Sequence, residues 1–368
     1  MVAGEPPADH TGVLVGAGEW GANALRTDTS ILWYVIDRKP YDAVLEEAFP
    51  EEGDGKEPLP AHRYRRLADQ PVQQGPYDTR MQHAVGSIFE ETEVDIVYLA
   101  TPDHLHGSHV AQIASAMPDD SDPLFVPEKC AAPPYSYVRW LDPSAIRAVS
   151  AVNDHYLDKP PTRELANRLP EYRDEYGPLR RIEAELTEPG LDRDRKWPLQ
   201  WENGGVAADM LRHLAAITRE TLGFELPSKP WDLAVDYEGR VEGIDPPTVV
   251  EVEAELDGNG RTVDAAMRAG KDVNDPAKRL SLTFAHDVVT VDYNGTGADK
   301  PYEGWIAGGT DEPDPVSGPD PHERLMADLE RLLDGADLAD TTLLGPQDSA
   351  DIQRFANAVN WRIRERMA

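Results

Sequence analysis

Residues 12 to 21 read Gly12-Val13-Leu14-Val15-Gly16-Ala17-Gly18-Glu19-Trp20-Gly21, a short apolar run that breaks into three spaced glycines. The run has the character of a strand buried on both faces, and the G-x-G-x-x-G that follows opens a helix. In such a turn the first glycine permits the tight bend, the second lets backbone approach a pyrophosphate, and the third allows close helix–strand packing. The helix N-terminus adds N–H donors and the positive end of a dipole. Ile31-Leu32-Trp33-Tyr34-Val35-Ile36 is a second apolar run, ended by Asp37. An acid there accepts hydrogen bonds from a ribose 2′-hydroxyl. The pattern predicts a dinucleotide site on Gly16, Gly18, Glu19, Trp20, Gly21 and Asp37. Asp37 favours NAD because its carboxylate repels a 2′-phosphate; Arg38 and Lys39 offer a clamp for that phosphate and leave NADP open.

Further along, Asp95-Ile96-Val97-Tyr98-Leu99-Ala100 and Pro123-Leu124-Phe125-Val126 read as two more buried strands. The alternation points to a doubly wound α/β domain over residues 1–150. Residues 51 to 77, acidic and then rich in Pro and Gln, read as a surface excursion. Beyond residue 150 the texture changes. Ile182, Ala184 and Leu186 alternate with Arg181, Glu183 and Glu185, and Val250, Val252, Ala254 and Leu256 with Glu251, Glu253 and Glu255. Period-two alternation means strands with one buried face, hence an open, mostly antiparallel sheet in an α+β domain over 151–368. Helical periodicity returns at about 205 to 222, 321 to 334 and 348 to 366, and the last helix is expected to pack back on the first domain. Residues 295 to 321, rich in Gly, Pro and Asp, read as a loop.

The 368 residues carry 68 acids against 36 bases, a net charge of -32, with one Cys, eight Trp and thirteen Tyr. A 40% hydrophobic fraction is too apolar for a disordered acidic chain, and the length suggests two domains. Nucleic-acid binding is excluded, since it rests on Lys and Arg neutralising phosphates. No run of about 18 apolar residues predicts a membrane span, and the N-terminus is not that of a secretory signal. One cysteine makes no internal disulfide, so a reducing cytoplasm is expected. Only nine of the 36 bases are Lys. Self-repulsion at such a charge is screened at molar salt, where the Debye length is about 3 Å, so an extreme halophile's protein is expected.

Thr101-Pro102-Asp103-His104-Leu105-His106, after a buried strand, resembles the T-P-[ND]-x-x-H segment of the glucose-fructose oxidoreductase/inositol dehydrogenase/MocA family. Glu128-Lys129-Cys130 resembles its Glu-Lys-Pro, and Gly204-Gly205 with Asp209-Met210-Leu211-Arg212-His213 its G-G…D-x-x-x-H helix. The resemblance implies a Rossmann domain followed by a substrate domain. It places Thr101, Pro102, His106, Glu128 and Lys129 at a nicotinamide nucleotide. Asn153-Asp154-His155-Tyr156-Leu157-Asp158-Lys159 is similar to the D-H-Y-L-G-K signature of glucose-6-phosphate dehydrogenases, and Leu186-Thr187-Glu188-Pro189 to another of their segments. That likeness implies a sugar or sugar-phosphate substrate on Asp154, His155, Tyr156 and Lys159. Two departures matter. Cys130 replaces a Pro that would restrict the backbone of Lys129, and Asp158 replaces the Gly of the signature, adding negative charge beside a phosphate site.

Oxidising a secondary alcohol or hemiacetal requires a base for the hydroxyl proton while hydride leaves the same carbon, and His is the usual base. Asp209 and His213, spaced i, i+4, share one helix face. His213 is therefore assigned as base, with Asp209 orienting it or holding a substrate hydroxyl; Asp154 is the rival partner that the second likeness supplies. Lys129 would donate to the reacting oxygen, so the imidazole and this ammonium must converge at the nicotinamide. No C-x-x-C or H-E-x-x-H spacing suggests a metal, and His104, His106 and His109 after a strand are expected to face the nicotinamide or solvent. The leading expectation is an NAD(P)-dependent dehydrogenase or reductase acting on a sugar, polyol or sugar phosphate. Its rival is a non-catalytic sensor that binds dinucleotide and sugar. A homodimer or homotetramer through the open sheet is expected, its glutamates screened or bridged by Arg.

Overall fold

The computed structural model describes residues 9–27, 30–38, 63–66, 80–129, 148–190, 199–201, 204–239, 241–294 and 304–368, with the side chains of 19, 20, 63–66, 80, 103 and 104 outside the description. The chain divides into two compact units, Met1–Asn153 with His322–Pro346, and Asp154–Pro321 with Gln347–Ala368.

In the first unit, strands β1 (His10–Val15), β2 (Ile31–Asp37), β3 (Arg63–Arg66), β4 (Ile96–Leu99) and β5 (Leu124–Pro127) form a parallel sheet of order β3-β2-β1-β4-β5. The apolar runs fill it: Val13, Leu14, Val15, Val97, Leu99 and Phe125 are wholly buried. Helices α1 (Glu19–Arg26), α2 (Arg80–Phe89) and α3 (Asp103–Ala114) are the crossovers between strands. β3 lies inside the stretch expected as a surface excursion and pairs in parallel with β2; residues 51–62 and 67–77 lie outside the described residues. Strand order reverses at β1, between β2 and β4, and in such sheets ligands bind at the carboxyl ends beside the reversal.

The core of this unit is closed from far along the chain. Leu325, Met326 and Leu329 of α7 (Pro321–Leu333), with Leu343, cluster with Leu14, Leu25, Trp33, Val35 and Tyr98. The spacing is that of one apolar helix stripe. A single boundary near residue 150 does not anticipate this return. The last helix, α8 (Pro346–Met367), belongs to the second unit from Gln347 onward.

The second unit is built on a sheet of order β13-β12-β11-β10-β6-β9-β8-β7. Its strands are β6 (Leu179–Glu188), β7 (Ala234–Glu238), β8 (Val249–Gly258), β9 (Arg261–Lys271), β10 (Lys278–Phe284), β11 (Val288–Asp292), β12 (Gly304–Gly308) and β13 (Asp314–Val316). All neighbours are antiparallel except β6 and β9. β12 and β13 correct the expected loop, whose residues 295–303 lie outside the description. Ile182, Val252, Met267, Leu282 and Val291 point to a buried face, against which α5 (Pro160–Tyr176) and α6 pack; α4 (His155–Asp158) immediately precedes α5. The helix α6 is π over Ala207–Leu211, α over Arg212–Ala216 and π again over Ile217–Thr221. On the polar face Arg268 reaches Glu185 at 2.6 Å, Glu251 at 2.9 Å and Glu238 at 3.0 Å, pairing with three glutamates of its own chain.

Candidate functional site

The first unit gathers its expected residues at the carboxyl edge of its sheet. Gly16 follows β1 with φ of 88°, a left-handed conformation that costs glycine little. A Cβ on Gly21 would lie 1.9 Å from the Gly16 carbonyl oxygen, so only glycine lets α1 pass that close. Among the described residues nothing lies within 4 Å of a Cβ on Gly18, the side from which a pyrophosphate would approach. Asp37 is buried at the end of β2, and its Oδ2 accepts the Ala17 N–H at 2.7 Å, which ties the acid to the glycine turn. Arg38 follows it, exposed. The backbone of Glu19 and Trp20 begins α1. These features fit a dinucleotide, with N–H groups and a helix N-terminus for the phosphates and an acid for the ribose.

After β4, Thr101 and Pro102 lead into α3. His106 is wholly buried, and its Nε2–H donates to the Thr101 carbonyl. It thus shapes the turn from within, a correction to its expected place at the cofactor. His109 Nδ1 lies 3.0 Å from the Thr101 hydroxyl. After β5, Glu128 is buried and its N–H donates to Leu99, while the Lys129 N–H donates to the Asn153 carbonyl at 2.7 Å. Lys129 has φ of 57°, a left-handed conformation of a kind that costs a non-glycine residue about 1–3 kcal/mol and is typical of functional sites. The Asn153 carbonyl supplies one of the contacts that the missing Pro makes necessary; Cys130 itself lies outside the described residues.

In the second unit the four residues expected at the substrate come together with His213. Asp154 caps α4, its Oδ1 accepting the Tyr156 N–H at 3.2 Å and the His213 Nδ1–H at 2.7 Å. Both partners of this pair are buried. The fully buried Arg212 places its Nε 3.7 Å from Asp154 Oδ2. Burial alone would raise the Asp154 pKa; His213, then Arg212 and the Tyr156 N–H, outweigh it and hold the carboxyl below its usual range. The carboxylate at His213 Nδ1 is therefore Asp154, the rival partner. Asp209, expected to orient the imidazole, pairs with Lys271 at 3.0 Å.

The rings of Tyr156 and His213 stack at 4.7 Å, and Lys159 Nζ stands 3.7 Å above the Tyr156 ring. Burial first, then Glu188 and Tyr293, pushes the Tyr156 hydroxyl well up. Burial and the neighbouring Lys278 bring Lys159 down to about 7. At the strand ends Glu188 binds Lys278 at 3.0 Å and Lys271 at 3.5 Å. Sequence reasoning missed Arg212, Lys271 and Lys278. In a chain with nine lysines, two only seven positions apart, at the ends of the strands that flank β6, were the available signal.

A comparison with protein-family models finds no match, and a comparison with curated proteins finds none either. Solved structures share the fold at low identity. UDP-N-acetylglucosamine 3-dehydrogenase from Acidithiobacillus ferrooxidans is 16% identical with a TM-score of 0.67, over 98% of this chain and 99% of that one. Aldose-aldose oxidoreductase from Caulobacter crescentus, in complex with glycerol, is 16% identical with a TM-score of 0.68, over 97% and 98%. An oxidoreductase from Agrobacterium radiobacter, in complex with NAD+, L-tartaric acid and magnesium, is 14% identical with a TM-score of 0.63, over 97% and 96%. The chain has the fold of these oxidoreductases: a parallel-sheet unit and a large, mostly antiparallel one.

Proposed function

We propose that this protein is an NAD(P)-dependent dehydrogenase or reductase of the glucose-fructose oxidoreductase/inositol dehydrogenase/MocA type, acting on a CH–OH carbon of a sugar, polyol or sugar phosphate. The observation that carries the reading is the buried Asp154–His213 pair. An ionised carboxylate on Nδ1–H fixes the imidazole tautomer and leaves Nε2 as the lone-pair nitrogen, the arrangement a general base needs. The fold shared with oxidoreductases and the glycine turn with Asp37 support it.

When bound, a nicotinamide supplies the hydride acceptor or donor. His213 takes the hydroxyl proton in the oxidative direction and returns it in reduction. Asp154 holds the ring and stabilises the imidazolium that forms. Lys129 is assigned the donor that stabilises alkoxide charge, and Asp209, Glu188 and their lysines offer acceptors and donors to further hydroxyls. Asp37 favours NAD, with Arg38 beside it for NADP.

Lys159 supports an anionic group on the substrate. Among the described residues no carboxylate pairs with its ammonium, and a dianionic phosphate would favour its protonated form. Asp158 is buried next to it in sequence and opposes this reading.

Nicotinamide absorbance, followed with both cofactors against sugars, polyols and sugar phosphates in molar KCl, tests the proposal. Turnover on one of these classes is expected. Cofactor binding without turnover across the whole panel would overturn the enzyme and favour the sensor.

A further inference from the structure

We propose that Asp154, His155 and His213 form a binding site for a borderline transition-metal ion such as Zn2+, and that the ion, when bound, disables the imidazole. One ligand atom from each residue lies within 4.8 Å of those of the others, and among the described residues no other group of His, Cys, Asp and Glu draws three so close. The sequence hides the cluster, because His213 stands 59 positions from Asp154. The fold brings them together: α4 presents Asp154 and His155, and the α-helical turn of α6 between its two π turns presents His213.

The donor chemistry decides the class of ion. Two imidazoles and one carboxylate are a borderline nitrogen and oxygen set, suited to Zn2+, Co2+ or Fe2+ rather than to hard Mg2+ or Ca2+. Three protein ligands rather than four is the ligand count of an exchangeable site, a closed structural site taking four. With bonds of about 2.0–2.1 Å, tetrahedral ligand atoms stand about 3.3 Å apart, so the imidazoles, whose centroids are 4.7 Å apart, need only modest side-chain rotation. His155 is the half-exposed member and marks the side from which an ion enters.

Two features set the affinity. The Tyr156 N–H orients the Asp154 carboxylate, as outer contacts do at metal sites. The Arg212 guanidinium, 3.7 Å from that carboxylate, opposes a dication. The balance favours a reversible ion over a resident one.

A neutral imidazole has one lone pair and one N–H. A metal on either ring nitrogen of His213 takes that lone pair and leaves the proton on the other nitrogen. In both cases no nitrogen remains to accept a hydroxyl proton. On Nε2 the ion leaves the Nδ1–H bonded to Asp154; on Nδ1 it replaces that hydrogen bond, the Nδ1 proton leaving to solvent while Nε2 takes one up, so nothing changes beyond coordination and this proton shift. This consequence rests on the proposed role of His213 as base; the site itself does not.

The test is a Co2+ titration of the full chain, read by its visible absorption, with millimolar Mg2+ present to occupy surface carboxylates. One Co2+ per chain with a band displaced by Zn2+ is expected. His155→Gln and, separately, Asp154→Asn should each weaken binding by on the order of 100-fold, with circular dichroism reporting that the fold is kept. Absence of the band, or the same titration in His155→Gln, would overturn the site. Turnover that survives Zn2+ saturation in the presence of the band would overturn the role of His213 as base and leave the site standing.

Discussion

The two units carry their chemistry in opposite ways. The first works through backbone: glycines 16, 18 and 21 shape a turn whose N–H groups are the binding feature, and the chief side chain involved, Asp37, is itself bonded to backbone. The second works through side chains from scattered positions, a carboxylate at 154, an imidazole at 213 and lysines at 159, 271 and 278 held by strand ends and helix caps. A backbone device tolerates no added atom at one glycine and any small one at another. A side-chain device tolerates much backbone variation but no change of charge state.

The sharpest break of that contrast is at Asp154. Asp154→Asn and His213→Asn should each lower kcat by on the order of 10²–10⁴, whereas Asp209→Asn, which faces Lys271, should cost less in kcat than either. Equal loss at Asp209 would return it to the orienting role. Asp154→Ala removes the buried carboxylate that pairs with His213 and lies beside Arg212, and chemical denaturation should show a loss of about 3–5 kcal/mol.

In the first unit the contrast is within one motif. Gly21→Ala forces a Cβ into the Gly16 carbonyl and should cost about 1–3 kcal/mol or more in denaturation. Gly18→Ala should leave stability nearly unchanged and weaken nucleotide binding in a fluorescence titration. Equal destabilisation by both would mean that Gly18 serves packing, not the ligand.

Lys159 gives a pH test with a definite sign. Its folded pKa, about 7, lies below the unfolded value, so the folded state binds fewer protons over the interval up to about 10.4. The penalty for burying its charge is fully present below pH 7 and fades as pH rises through that interval. Lys159→Met should therefore be more stable than the parent at pH 6, with the gap closing by pH 10. A constant gap would show that Lys159 is not the titrating group.

The smallest effect belongs to the polar sheet face. Arg268 is partly exposed, and Arg268→Ala should cost no more than about 1 kcal/mol. If copies associate through this face, light scattering should show the assembly loosen at low KCl and loosen further in the variant. A monomer at multimolar KCl would rule the interface out, and stability indifferent to KCl would end the halophile expectation.

The first unit was largely legible because its strands are buried on both faces and its site is local: strand, turn, helix and acid lie within residues 12 to 37. In the second, alternation showed β6 and β8 but missed β7 and β9. β9 carries Ala on its buried face, at Ala265 and Ala269, which dilutes the apolar signal. The helix spacing put Asp209 on the face of His213 and so offered it as partner. The actual partner is 59 positions away, and only the second likeness pointed to it. His106 was misread because a histidine after a strand looks the same in sequence whether it faces a ligand or its own turn.

The discontinuity of the first unit bears on how the polypeptide is made. Leu325, Met326, Leu329 and Leu343 cover Leu14, Trp33 and Val35, yet a ribosome has translated almost everything before they emerge. The nascent amino-terminal half must wait with that apolar surface uncovered, so vectorial completion of this unit is barred. An expression fragment stopping at residue 150 inherits the same uncovered surface, and fusing residues 322–346 to it should be what restores its solubility.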